Sequence, residues 1–340
     1  MKVAVFSTKS YDRQFLTDAS VDNGHELIFH ETPLNPATAA LAAGCAAVCI
    51  FVNDAATADT LKILAAGGTQ LIALRCTGYN NVDLKAAAEL GIKVVRVTVY
   101  SPYSVAEHAV ALLQCLNRKI HRAYNRTRDN NFTLDGLMGV DLHDRTVGII
   151  GTGKIGQIFA KIMGQGFGCK LLGYDLYPNP KFESELGGKY VTLPELFSQS
   201  DVISLHCPLT PENHYLINEA AIAQMKPGVM IINTSRGGLV ETEAVIAGLR
   251  SKQIGALGLD VYEQESDLFF EDFSSEIMQD DQIDRLLSFP NMIMTGHQAF
   301  FTQEAIGTIS KTTLASITEF AQGQPLSNEI KPPEKVPATV

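Results

Sequence analysis

Short apolar, β-branched runs recur along the chain, each followed by a longer stretch in which apolar residues return every three or four positions. In the N-terminal third these runs are 3–6, 26–29, 47–52, 71–74 and 94–97. Between them, 55–66 and 84–90 have helical spacing, the second closed by Gly91, where a helix end favours a residue free to take positive φ. The rhythm resumes at 146–150, 170–174, 202–206, 229–233, 256–260 and 292–295. Strands that alternate with helices predict parallel sheets joined by crossover helices. The fold class expected is α/β, with two open parallel-sheet domains.

Residues 104–126 read as one long bridging helix, with Val105, Ala109, Leu112, Leu113 and Leu116 at near-helical spacing behind Pro102. Its apolar residues cover more than one face, which predicts burial against a second subunit: a homodimer, with a tetramer left open. A second long helix, 303–320, returns the chain to the first unit. The first domain is therefore discontinuous, 1–101 plus 300–333, around a second at 102–299. Proline and scarce apolar surface predict a loose tail at 334–340.

The composition narrows the function. The chain has 340 residues, 46% hydrophobic and 19% charged, enough for two cored domains and too apolar for disorder. A net charge of −10 disfavours nucleic acid and anionic membranes as partners. No apolar run approaches the roughly 20 residues that cross a bilayer, and 1–6 is short for a signal-peptide core, so a cytoplasmic location is expected. The six cysteines form no Cys-x-x-Cys pair and no cluster at zinc spacing, which predicts reduced thiols and no metal. Small-molecule chemistry remains.

The segment Gly151-Thr152-Gly153-Lys154-Ile155-Gly156 has the spacing Gly-x-Gly-x-x-Gly between a strand and a helix. In such a turn the first glycine bends the chain, the second admits a pyrophosphate and the third lets helix and strand pack, with the anion on the helix N-terminus. The next strand ends at Asp175, whose carboxylate would accept hydrogen bonds from the adenosine ribose hydroxyls and repel a 2′-phosphate. NAD is the cofactor expected; Lys181 nearby leaves secondary NADPH use open.

Several separated segments carry a resemblance: 147–156, His206-Cys207-Pro208-Leu209-Thr210, Asn233-Thr234-Ser235-Arg236-Gly237-Gly238, 258–265 and Gly296-His297-Gln298-Ala299-Phe300. With these the chain resembles the D-isomer-specific 2-hydroxyacid dehydrogenases over nearly its whole length. The stretch 266–272, with Gln279-Asp280-Asp281 and 297–302, is most similar to that family's lactate enzymes. The resemblance implies a Rossmann-type NAD-binding domain and a flavodoxin-like substrate domain. It further implies an active site in the cleft between them, with hinges near 101–103 and 300–302.

Carried over residue by residue, the resemblance implies that Arg236, Glu265 and His297 act together. Reduction of a 2-keto acid such as pyruvate needs a hydride, a proton and a cation for the substrate carboxylate. Arg236 offers a planar fork for the carboxylate. His297 belongs to a residue type that titrates near working pH and can donate the proton. Glu265 would fix the ring and favour the imidazolium. On the cofactor side the resemblance places Cys207, Pro208 and Asn213 near adenosine and pyrophosphate, Thr234 and Ser235 near the nicotinamide ribose, and Asp260 at the carboxamide. Thr77, Gly78, Tyr100 and Phe300 would meet the substrate. Two alternatives stay open: an enzyme for bulkier 2-keto acids, and a cofactor-sensing corepressor-like protein.

Overall fold

The computed structural model describes residues 1–21, 24–265, 268–270 and 272–331; the tail expected at 334–340 lies outside them. The chain forms two compact units, Met1–Ser101 with Phe301–Val340, and Pro102–Phe300. Phe300, expected with the first unit, falls in the second.

The first unit holds β1 (Lys2–Val5), β2 (Glu26–Phe29), β3 (Ala47–Ile50), β4 (Leu71–Leu74) and β5 (Lys93–Arg96), in the order β2-β1-β3-β4-β5. Every pairing is parallel. β3 and β4 are buried at every position, as expected of continuous apolar runs covered on both faces. The helix Gln303–Ala321 covers one face with Leu314 and Ile317, against Leu16.

The strand order, flavodoxin-like, reverses between β1 and β3, and there the unit encloses charge. Ser7 Oγ donates to Asp54 Oδ1 at 2.7 Å, and the Leu34 and Phe51 amides each donate to the same carboxylate at 2.6 Å. This turn ends β3 at Ile50, short of the expected residue 52. Arg75, just after β4 and 2% exposed, donates through Nε to Asp12 Oδ1 at 3.1 Å and through Nη2 to the Ser7 carbonyl at 2.8 Å.

The second unit holds β6 (Thr146–Ile150), β7 (Lys170–Tyr174), β8 (Lys189–Tyr190), β9 (Val202–Leu205), β10 (Val229–Asn233), β11 (Ile254–Leu259) and β12 (Met292–Met294). Their order is β12-β11-β10-β9-β6-β7-β8, again parallel throughout. β8 escapes sequence reading because it has two residues at a sheet edge and no apolar run. The order reverses between β6 and β9, the switch point where open α/β sheets bind ligands.

The helix expected over 104–126 is two helices, Pro102–Asn117 and Ile120–Arg128. Lys119 between them has φ +52°, and the Asn117 side chain leaves the helix direction to clamp Val140, accepting from its N–H at 3.0 Å and donating to its carbonyl at 2.8 Å. Ala106, Ala109, Leu112, Leu113 and Leu116 are buried against Met230, Ile232 and Ala256, so the several apolar faces are satisfied inside the unit. Exposed apolar side chains in this region are Tyr103 at the start of the first helix and, beyond it, Ile120, Tyr124, Phe132, Leu134, Met138 and Val140. No helix among the described residues is long and apolar enough to cross a membrane.

Removing one partner of a buried ion pair leaves an uncompensated charge, at a cost of about 3–5 kcal/mol. Arg75→Met is expected to lower the stability of the first unit by that amount in urea unfolding followed by circular dichroism. A loss below about 1 kcal/mol would contradict the role given to the Arg75–Asp12 pair.

Candidate active site

The glycine turn follows β6 at the switch point. Gly151 has φ +93°, and a Cβ there would stand 2.5 Å from the His206 carbonyl carbon and 2.6 Å from the Cys207 nitrogen. A Cβ on Gly156 would stand 2.0 Å from the Gly151 oxygen. Both positions therefore admit only glycine. Gly153 is the opposite case: a Cβ would meet nothing within 4 Å, and it caps the helix Lys154–Lys161 without a side-chain bond. Open space above uncapped amides, with Lys154 and Ile155 in the first turn, fits a dinucleotide pyrophosphate.

Asp175 lies against this turn. Its Oδ2 accepts from the Thr152 amide at 2.6 Å and the Thr152 hydroxyl at 3.1 Å, and its Oδ1 from the Tyr177 amide at 2.9 Å. Across the switch point, β9 leads to His206, Cys207 and Pro208. The His206 ring packs 4.9 Å from Phe159, with Nε2 2.8 Å from Ser204 Oγ, and burial pulls its imidazole down to about 3. Burial likewise pushes the half-buried Cys207 thiol up to about 11, so it acts as a small apolar contact. Asn213 spends its amide within its own loop, accepting from Thr210 N–H at 2.7 Å and donating to the Pro208 carbonyl at 2.8 Å. Thr234 Oγ1 is buried with no partner among the described residues, a polar atom still open to a ligand.

A second cluster forms where the adjacent parallel strands β10, β11 and β12 end. Asn233, the last residue of β10, accepts from the Ser235 amide at 3.0 Å and donates to the Arg236 carbonyl at 2.9 Å. Arg236 is exposed, and its Nη1 donates to the Ser235 carbonyl at 2.7 Å. A Cβ on Gly237 would lie 2.1 Å from the Tyr262 carbonyl carbon, so the Arg236 loop presses on the backbone that leads to Glu265. The Tyr262 amide donates to Glu265 Oε2 at 2.9 Å, and the other oxygen, Oε1, stands 3.1 Å from His297 Nδ1. Glu265 and His297 are 25% and 24% exposed, enough to reach a ligand.

His297 has φ +51°, a left-handed backbone that costs a non-glycine residue of order 1–3 kcal/mol. Asp260 holds it there. The His297 amide donates to the Asp260 carbonyl at 2.8 Å. The Asp260 carboxylate, 0% exposed, accepts from Thr295 Oγ1 at 2.5 Å, the Gln298 amide at 2.9 Å and the Ala299 amide at 2.8 Å. Beside the contact with the nicotinamide carboxamide expected of it, Asp260 anchors the histidine loop, whose donors meet its carboxylate.

Glu265 and His297 are thus brought together directly, and Arg236 is joined to them by the Gly237–Tyr262 contact. Thr77, Gly78 and Tyr100 lie in the first unit, after β4 and β5; the Thr77 carbonyl accepts from Arg96 Nη1 at 2.9 Å. Phe300 ends the second unit, half-buried. Sequence reading overlooked Asn233, although an asparagine closing a strand ahead of Thr-Ser signals a side chain that folds the next turn. It also overlooked His108 and Thr295, which are 187 positions apart and have no local signature. Among the described residues no group of His, Cys, Asp and Glu could hold a metal ion.

Residues 110–299 match the family described as D-isomer specific 2-hydroxyacid dehydrogenase, NAD binding domain. The D-lactate dehydrogenase of Escherichia coli K12 is 54% identical over 330 residues, 97% of this chain and 100% of that protein. The chain belongs to the D-isomer-specific 2-hydroxyacid dehydrogenases. Among solved structures, the apo D-lactate dehydrogenase of E. coli is 52% identical with a TM-score of 0.90, over 97% of this chain and 100% of that one. The pyruvate reductase of Chlamydomonas reinhardtii is 46% identical with a TM-score of 0.92, over 96% of this chain and 98% of that one. This dehydrogenase is an NAD-dependent oxidoreductase with a Rossmann-type second unit, and its substrates are small molecules.

His206 beneath the cofactor turn makes a pH prediction. Its folded-state pKa is depressed, so between about 6.5 and 3 the unfolded chain takes a proton that the folded one refuses. Its contribution to stability is therefore fully present above pH 6.5 and lost as the pH falls. His206→Gln should flatten the fall in unfolding midpoint between pH 7.5 and 5; an unchanged slope would refute the assignment.

Proposed function

We propose that this dehydrogenase reduces pyruvate to D-lactate with NADH, and runs the reverse oxidation with NAD. The Glu265–His297 pair at 3.1 Å, beside an exposed Arg236 at the neighbouring strand end, carries the reading. When bound at the glycine turn, the nicotinamide cofactor supplies or accepts the hydride.

The chain's own residues do the rest. Arg236 takes the substrate carboxylate in a two-pronged hydrogen bond and polarises the adjacent ketone. Glu265 accepts from His297 Nδ1–H, which fixes the ring and leaves Nε2 as the proton donor. As charge develops on the keto oxygen, Nε2–H gives up its proton; in the oxidation the neutral ring takes it back. Thr77 and Gly78 supply backbone N–H groups to the carboxylate, Tyr100 reaches the substrate, and Phe300 walls the methyl group. Gly151 to Gly156 hold the pyrophosphate. Asp175 takes the adenosine ribose, Cys207, Pro208 and Asn213 border the adenosine side, and Thr234 and Ser235 meet the nicotinamide ribose. The Asp175 carboxylate favours NADH over NADPH, while Lys181 is engaged with Glu185 at 3.5 Å.

The exposed apolar residues Ile120, Tyr124, Phe132, Leu134 and Met138 support a homodimer formed through that segment. The six cysteines are thiols rather than disulfides, which supports a reducing, cytoplasmic location.

The test is NADH oxidation with pyruvate, followed by chiral analysis of the product. D-lactate is expected, with pyruvate preferred to phenylpyruvate and 2-ketoisocaproate. His297→Ala should lower kcat/KM by about 10²–10⁴-fold. Arg236→Lys should raise the pyruvate KM and lower kcat together, since an ammonium cannot form the fork. L-lactate as product, or an active His297→Ala enzyme, would overturn the proposal.

A further inference from the structure

His108 stands on the helix Pro102–Asn117, on the stripe shared with Val105, Ala109 and Leu112, all of which are buried. A leucine would suit that stripe, yet the position carries an imidazole. Its Nε2 lies 3.0 Å from Thr295 Oγ1 and 3.4 Å from Asp260 Oδ1. The direction of each bond can be assigned. Thr295 has one hydroxyl proton, and at 2.5 Å from a carboxylate oxygen that proton points to Asp260. The hydroxyl oxygen must then accept, so His108 donates through Nε2–H. The result is a one-way chain, His108 to Thr295 to Asp260, that ends on the carboxylate anchoring residues 297–299.

We propose that His108 is a positioning residue for the reaction: through Thr295 it fixes the Asp260 carboxylate, and with it the left-handed backbone that aims the His297 ring. The proposal rests on the reading of His297 as proton donor. Asp260 directly follows β11 and Thr295 directly follows β12, so the chain clamps two adjacent strand ends from a helix packed over them. Without the His108 N–H, the Thr295 hydroxyl loses the partner that orients it. The carboxylate then keeps its two amide donors but can rotate about them, and the strained turn at His297 is held less firmly. A displacement of about 1 Å at a reacting group can reduce a rate a hundredfold, so a group that touches neither substrate nor cofactor can still govern turnover.

Three variants test this, each first confirmed folded by circular dichroism and its thermal midpoint. In His108→Ala, kcat with pyruvate should fall about 10- to 100-fold while the KM for NADH stays within about twofold. The isotope effect on kcat with NADH deuterated at the transferred hydrogen should rise, because hydride transfer becomes rate-limiting. His108→Gln, which restores an N–H donor, should recover kcat to within about threefold of the parent. Thr295→Val interrupts the chain in its middle and should reproduce His108→Ala, which keeps the test decisive if the alanine variant fails to fold. A folded His108→Ala or Thr295→Val enzyme with unchanged kcat and isotope effect would overturn the proposal. So would a glutamine variant as impaired as the alanine one, or a loss confined to the KM for NADH. His297→Ala, assayed in parallel, separates the two readings: if it is active the proton-donor reading fails, and if it is dead while His108→Ala is not, only the present one does.

Discussion

A carboxylate with no access to water holds the reactive end of this enzyme together. Asp260 can be buried because donors surround it: the Thr295 hydroxyl and the amides of Gln298 and Ala299, with His108 Nε2 at 3.4 Å. Hydrogen bonds to a charged group are worth about 1.5–3 kcal/mol each, against a penalty of several kcal/mol for an unpaired buried ion. The energy that keeps the carboxylate satisfied is the same energy that holds His297 at φ +51°. Strain at the histidine and burial at the aspartate are two sides of one constraint.

Contacts that only glycine permits bring the remaining parts into register. Gly151 lets the turn after β6 lie on the backbone after β9, and Gly156 lets the helix that follows close on that turn, which shapes the cofactor site at the switch point. Gly237 does the same between the Arg236 loop and the Tyr262 backbone, and so ties the carboxylate-binding cation to the Glu265–His297 pair. The loop after β12 is in turn held by Asp260 after β11, so three loops from three adjacent strands behave as one site.

The two parallel sheets were legible because their strands are buried on both faces and stand out as apolar runs. Edge strand β8, Lys189–Tyr190, has no such run and passed unseen. The helical period continues across Asn117 and Ile120, so periodicity alone could not register the break at Lys119, which depends on the tertiary clamp from Asn117 to Val140. In the site, Gly151 to Gly156, Asp175, Arg236, Glu265 and His297 lie in short segments with a chemical signature. Asn233 holds the Arg236 loop through partners two and three positions on, whereas Asp260, Thr295 and His108 are defined by neighbours distant in sequence, and their roles emerge only once the strand ends are side by side.

The most direct test of the account is a crystal structure of the protein with NADH and oxamate, an isostere of pyruvate. The oxamate carboxylate is expected in a two-pronged bond with Arg236 and its amide end within hydrogen-bond reach of His297 Nε2. The Glu265–His297 and Asp260–Thr295 bonds should remain in place. Oxamate held without Arg236, or a His297 ring released from Glu265 and turned away from the ligand, would contradict it.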